Sequence, residues 1–274
     1  MDDLHSLRNF SEELPTRSER TPLLFVGHGN PMNAIEENEF TRGWRKASED
    51  LPRPAALLCI SAHWQSRGTM VTGSAQPRTI HDFYGFPEEL FAVTYPASGH
   101  RGLAQEMKRL VRSTAVLLDQ TWGLDHGCWS VLKAMYPRAD VPVIQLSLDM
   151  TRPPAWHYAL GQELAELRSK GVLIIGSGDI VHNLGMLDWE NPEGAFDWAQ
   201  EMNEALKKAI VGNDHQSLVN YHAYGEGASL AIPTPDHYLP LLYVLALQQP
   251  GEEIRFFNDR VIMGSLSMTS LRIG

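Results

Sequence analysis

Apolar positions along this chain fall into short continuous runs separated by longer amphipathic stretches. The runs Leu23-Leu24-Phe25-Val26, Leu57-Leu58-Cys59-Ile60 and Val172-Leu173-Ile174-Ile175 are too short for helices and carry no polar alternation. They read as strands buried on both faces. Further strands are predicted near 114–118, 141–146 and 253–257, with an alternating tail over 264–273. Helical periodicity predicts helices over 36–49, 101–112, 128–135, 196–211 and 235–247, with Pro240 as a local fault in the last. A helix opened by Pro153 and Pro154 should run to about Lys170. Residues 64–100 are rich in Gly, Pro and aromatics and read as a long irregular segment of the kind that is usually functional. Strands and helices alternate without repeat or linker. The expected fold is therefore α/β, a single domain with a central sheet flanked by helices. Residues 1–20 read as a flexible polar lead-in and 21–274 as the domain.

Composition narrows the function. The formal charge of −10, with no basic run, argues against nucleic acid and anionic membranes as partners. No apolar run approaches the ~20 residues of a membrane span, and the polar N-terminus lacks a signal-peptide core. The two cysteines, Cys59 and Cys128, form no Cys-x-x-Cys pair. That fits a reducing cytoplasm and excludes a cysteine-rich zinc site. There is no Gly-x-Ser-x-Gly elbow, no phosphate loop and no His-Glu-x-x-His helix.

The candidate chemistry lies in the histidines. His28 follows the first strand within Gly27-His28-Gly29-Asn30-Pro31. His63 follows the second within Ser61-Ala62-His63-Trp64. His182 comes after the 172–175 strand and the turn Gly176-Ser177-Gly178-Asp179. Ligands of open α/β sheets collect outside the strand C-termini, and neutral imidazole is the commonest metal ligand. This pattern suggests a metal site at the strand C-terminal edge with an acid/base group beside it. His126 precedes a helix, with Asp125 able either to orient it or to cap that helix. His237, behind Pro233-Thr234-Pro235-Asp236, would project from a first helical turn, where Thr234 or Asp236 could cap. Each of these also has a bland reading as a turn or surface histidine. His81 and Phe83, with Trp64 and Trp129, could wall a flat substrate. Arg78 could pair with a carboxylate on it. His100, His157, His215 and His222 read as surface residues.

Together, Gly27-His28-Gly29-Asn30-Pro31-Met32, Ser61-Ala62-His63-Trp64, His81-Asp82-Phe83, Asp125-His126-Gly127-Cys128-Trp129, Gly176-Ser177-Gly178 through His182-Asn183, and Pro233 through Leu242 resemble the class III extradiol ring-cleavage dioxygenases, in the DOPA 4,5-dioxygenase-like branch. The likeness runs from about residue 20 to Gly264-Ser265-Leu266-Ser267-Met268. It implies a mononuclear non-haem Fe(II) on His28, His63 and His237, with His182 as acid/base or fourth ligand and His126 as a second active-site histidine. The small-molecule partners would be a catechol, DOPA-like or caffeate-like, and O2. Many class III enzymes complete the triad with a carboxylate, whereas His237 stands here. Three imidazoles also suit Zn(II), so a zinc hydrolase and a non-enzymatic binding protein on the same fold remain as alternatives.

Overall fold

Alternate residues of each central strand face opposite ways, and this splits the interior into two apolar layers. The computed structural model describes residue 14 and residues 16–274, so most of the expected lead-in lies outside the described residues. Its strands are β1 (Leu23–Gly27), β2 (Ala56–Ser66), β3 (Thr69–Thr72), β4 (Val116–Asp119), β5 (Val143–Asp149), β6 (Val172–Gly178), β7 (Ile254–Phe257), β8 (Val261–Ile262), β9 (Leu266–Ser267) and β10 (Ser270–Ile273). Eight of them form one sheet in the order β4-β3-β5-β2-β6-β1-β10-β7; β8 and β9 pair separately. The centre, β5-β2-β6-β1, is parallel, while β10 joins β1 antiparallel.

Leu23, Phe25, Leu58, Ile60 and Ile174 pack into one layer with Leu160, Leu206 and Leu241 from the helices Pro154–Glu163, Asp197–Val211 and Leu239–Ala246. Leu24, Val26, Leu57, Cys59, Leu173 and Ile175 pack into the other. Their partners there are Trp44 of the helix Glu39–Glu49, and Trp129 and Leu132 of the helix His126–Met135. A fully buried Leu or Ile contributes ~1.5–3 kcal/mol, so two such layers fix the central strands and the positions of their ends. Among the described residues, no helix is long and apolar enough to cross a membrane.

The structure corrects several local expectations. β2 does not stop at Ile60. It continues through His63 to Ser66 past an irregularity in its pairing with β5, and β3 lies inside the stretch expected to be irregular. The helix begun by the proline pair breaks at Leu164 and resumes over Glu166–Ser169. Pro240 sits in the first turn of its helix, where its missing N–H costs nothing, so it starts the helix and is no fault within it. His157 is fully buried, its Nδ1 2.9 Å from the Tyr243 hydroxyl, and is no surface residue.

Candidate active site

The ends of β1, β2 and β6 deliver His28, His63 and the segment Asp179–His182 to one edge of the sheet. His28 lies one residue past β1, its N–H donating to the Gly178 carbonyl at 3.2 Å. His63 lies within β2 itself. His182 sits beyond β6, its N–H donating to the Ala231 carbonyl at 2.8 Å. Two close approaches bring the other rings in. A Cβ on Gly178 would collide with the His237 carbonyl, so the bare glycine lets the Asp236-His237 turn sit against the end of β6. A Cβ on Gly127 would come within 2.8 Å of His63 Cδ2, so glycine there lets the helix His126–Met135 start beside His63.

Five imidazoles converge as a result. The ring centres of His28 and His63 are 5.0 Å apart, those of His28 and His237 5.2 Å, and those of His63 and His237 5.0 Å. His126 lies 3.8 Å from His63, and His182 stacks on His237 at 3.5 Å. Two sets of donor atoms lie mutually within 4.8 Å: His28, His63 and His126, and His28, Asp179 and His237. His182 belongs to neither set.

The hydrogen bonds assign the tautomers of His28 and His237. The Ser177 hydroxyl donates to the Gly127 carbonyl at 2.5 Å, leaving its oxygen to accept from His28 Nδ1 at 3.1 Å. Asp236 Oδ2, an acceptor only, takes His237 Nδ1–H at 2.6 Å. Asp82 Oδ2 lies 3.4 Å from His63 Nδ1 and 3.0 Å from His126 Nδ1, and its Oδ1 accepts the His126 N–H at 2.9 Å. With Nδ1–H engaged on His28 and His237, the Nε2 atoms of these two rings are left as lone pairs. His28 Nε2 and His63 Nε2 stand 3.0 Å apart. His28 Nε2 can only accept there, so the contact is a hydrogen bond when His63 carries its proton on Nε2; with that proton on Nδ1, toward Asp82, the two lone pairs converge as donors to a divalent metal ion would.

Burial sets the charge of these groups. It pushes His63 down to about 3, with His126 adding to the fall and Asp82 opposing it. It pushes His182 down to about 4 against the pull of Asp236, and His28 and His237 well below the ordinary histidine range. All four are neutral at pH 7 and able to offer a lone pair. Asp82 stays low: burial raises it, but hydrogen bonds from the His126 side chain and backbone N–H, with the adjacent imidazoles, outweigh desolvation.

The carboxylates around the rings were not legible in the sequence as site residues. Asp125 caps its helix by accepting the Cys128 N–H, and also takes the Ser61 hydroxyl and the Gln145 amide; Asp82 orients His126 instead. Asp236 caps nothing and holds His237, which precedes the helix. Adjacency in Asp236-His237 and the His81-Asp82-Phe83 triplet were the available signals. Of the expected pocket walls, Phe83 meets the His126 ring edge-on at 5.5 Å. His81 is anchored through Nε2 to the Val93 carbonyl at 2.9 Å. Trp129 is fully buried behind them, donating to the Ile80 carbonyl. Trp64 is buried and stacked on Trp122 at 5.3 Å, so its ring face is already occupied. Arg78 is exposed.

Residues 21–247 match the family model of the catalytic LigB subunit of aromatic ring-opening dioxygenase. The chain belongs to that family. It is 47% identical to a 4,5-DOPA dioxygenase extradiol of Escherichia coli (strain K12), over 94% of this chain and 96% of that protein. Against a 4,5-DOPA dioxygenase extradiol of Beta vulgaris it is 37% identical, over 79% of this chain and 83% of the other. A crystal structure of an uncharacterized protein from Escherichia coli K12 superposes with a TM-score of 0.82 at 42% identity, covering 93% of this chain and all of the other. The expected class III extradiol assignment and its α/β fold therefore hold, and the chain is an aromatic ring-opening dioxygenase. The hydrolase and binding-protein alternatives are not favoured.

Proposed function

We propose that this enzyme opens the ring of a catechol beside its two hydroxyls with O2, at one non-haem divalent metal held by His28, His63 and His237. Fe(II) is the ion expected for activity, and Zn(II) fits the same imidazoles. The observation that carries this reading is the convergence of three neutral imidazoles, His28 Nε2 and His63 Nε2 lying 3.0 Å apart and the His237 ring 5.2 Å from His28 and 5.0 Å from His63. The substrate proposed is a catechol with a short acidic or amphoteric tail, DOPA-like or caffeate-like, in keeping with the names of the relatives.

When bound, the ferrous ion would supply Lewis acidity toward the diol and electrons toward O2. The protein's part is positioning and proton transfer. His182, partly exposed and neutral at pH 7, is placed beside His237 to accept a diol proton as the catechol enters. His126, tethered to Asp82, stands on the other flank against His63 and serves as the second proton-transfer group. Phe83 gives an apolar surface next to His126, against which a flat ring can lie. Asp82 joins the two flanks, since one carboxylate orients both His63 and His126.

Anaerobic loading with Fe(II), followed by O2 and either DOPA or its monophenol counterpart tyrosine, tests the reading. Oxygen uptake with a yellow ring-opened product is expected from DOPA and none from tyrosine, which lacks the second oxygen for chelation. Equal uptake would remove the bidentate mechanism, and no uptake with any catechol would remove the proposed function.

A further inference from the structure

We propose that Asp179 is a fourth protein ligand of this metal centre, supplying from the end of β6 the carboxylate that the three imidazoles lack. The proposal rests on the metal centre proposed above. Asp179 is fully buried. Its Oδ1 accepts the Gly29 N–H at 3.2 Å, which serves to hold the β1 turn. Its Oδ2 has no hydrogen-bond donor among the described residues. The one ionic neighbour of Asp179 among the described residues is His28, whose Nε2 lies 3.8 Å from Oδ2. That is the same nitrogen that approaches His63 Nε2 at 3.0 Å. A carboxylate oxygen sealed from water needs a proton donor or a cation. Here the neighbouring ring nitrogen, His28 Nε2, is a lone pair and cannot donate to it.

The two spacings around His28 suit donors to one ion. Two donors each ~2.1 Å from one ion stand roughly 3.0–3.8 Å apart for bond angles of about 90–130°. Both His28–His63 and His28–Asp179 fall in that interval, and His237 shares one set of donor atoms with His28 and Asp179. The backbone fixes the arrangement, because the Asp179 N–H donates to the His237 carbonyl at 3.0 Å. Carboxylate and third imidazole are thereby tied at the main chain. A centre of three neutral imidazoles and one carboxylate carries one positive charge less than the imidazoles alone would leave. That favours retention of the ion while the catechol is absent.

The test uses the full chain, stripped with chelator and titrated with Zn2+ against a chromophoric competitor. Asp179→Asn should bind Zn2+ about 10–100-fold more weakly than wild type. Its metal-free form should melt no lower than metal-free wild type, because an amide keeps the acceptor for the Gly29 N–H and adds a donor toward His28 Nε2. The rise in Tm on adding Zn2+ should shrink. Asp179→Glu, which keeps the charge, should recover part of the affinity. If the Asn variant is not recovered folded, Asp179→Ser takes its place in the same comparison. Zn2+ affinity within twofold of wild type overturns the proposal. So does an equal fall of Tm with and without metal, the signature of a purely structural carboxylate. His63→Ala separates the two readings. If it binds Zn2+ as wild type does, the metal centre itself is wrong. If it loses Zn2+ while Asp179→Asn does not, only the role of Asp179 falls.

Discussion

The rings of His182 and His237 lie parallel, 3.5 Å between centres and 6° between planes. His237 is pinned through Nδ1 to Asp236 and His182 through its backbone to Ala231. The stack therefore places a neutral, partly exposed imidazole flat against one that is buried and oriented. The same arrangement separates the tasks assigned to them, since His182 lies in neither set of mutually close donor atoms.

His182→Ala is expected to keep its metal and lose turnover by ~10²–10⁴-fold, the usual contribution of a general base. Metal content after dialysis, measured beside kcat, checks this. A parallel loss of metal would instead make His182 a ligand.

Alanine at His28, His63 or His237 should each lower metal affinity by about tenfold or more, whereas His126→Ala should retain the ion and lose turnover. The contrast between His126 and His237 matters because both sit close to His28. If His126→Ala loses the metal and His237→Ala keeps it, the third ligand is His126.

Asp82→Asn should impair both flanks at once. The amide can still accept from one ring but cannot match a carboxylate shared by His63 and His126. A fall of about 10–100-fold in metal affinity, together with lost turnover in fully loaded enzyme, is expected. An effect on affinity alone would mean that Asp82 does not support His126.

His157 predicts an acid-sensitive stability unconnected with catalysis. Burial pushes it down to about 4, with Asp149 opposing. Between about pH 6.5 and 4 the unfolded chain takes up a proton there and the folded chain does not, so this contribution to stability is lost as pH falls. From pH 7.5 to 5 the loss should be about 2 kcal/mol. Urea melts of wild type and His157→Gln at the two pH values check this, the variant losing correspondingly less.

Arg78→Ala should raise KM for a carboxylated catechol by no more than about fivefold over unsubstituted catechol, since an exposed ion pair contributes ~0.2–1 kcal/mol. A larger selective effect would show that Arg78 is enclosed with the substrate.

The runs around Leu24, Leu58 and Ile174 announced their strands because burial on both faces leaves no polar alternation, a signal carried wholly within a few residues. With those strands came their C-terminal ends, and so the placement of His28 and His63 at one edge. Local sequence could not show that His126 and His237 reach the same point. Their approach depends on helices docking at Gly127 and Gly178, where the decisive contact is with a residue far along the chain. For the same reason Asp82 and Asp179 stayed silent, and Asp236 read as a helix cap. A carboxylate becomes an orienting or charge-compensating group only through what it faces once water is excluded. His157 was misread for that reason too, because a histidine on a helix shows its burial only when the neighbouring helix with Tyr243 is in place. Strand identity follows from hydrophobic patterning along the chain; the composition of the site follows from packing across it.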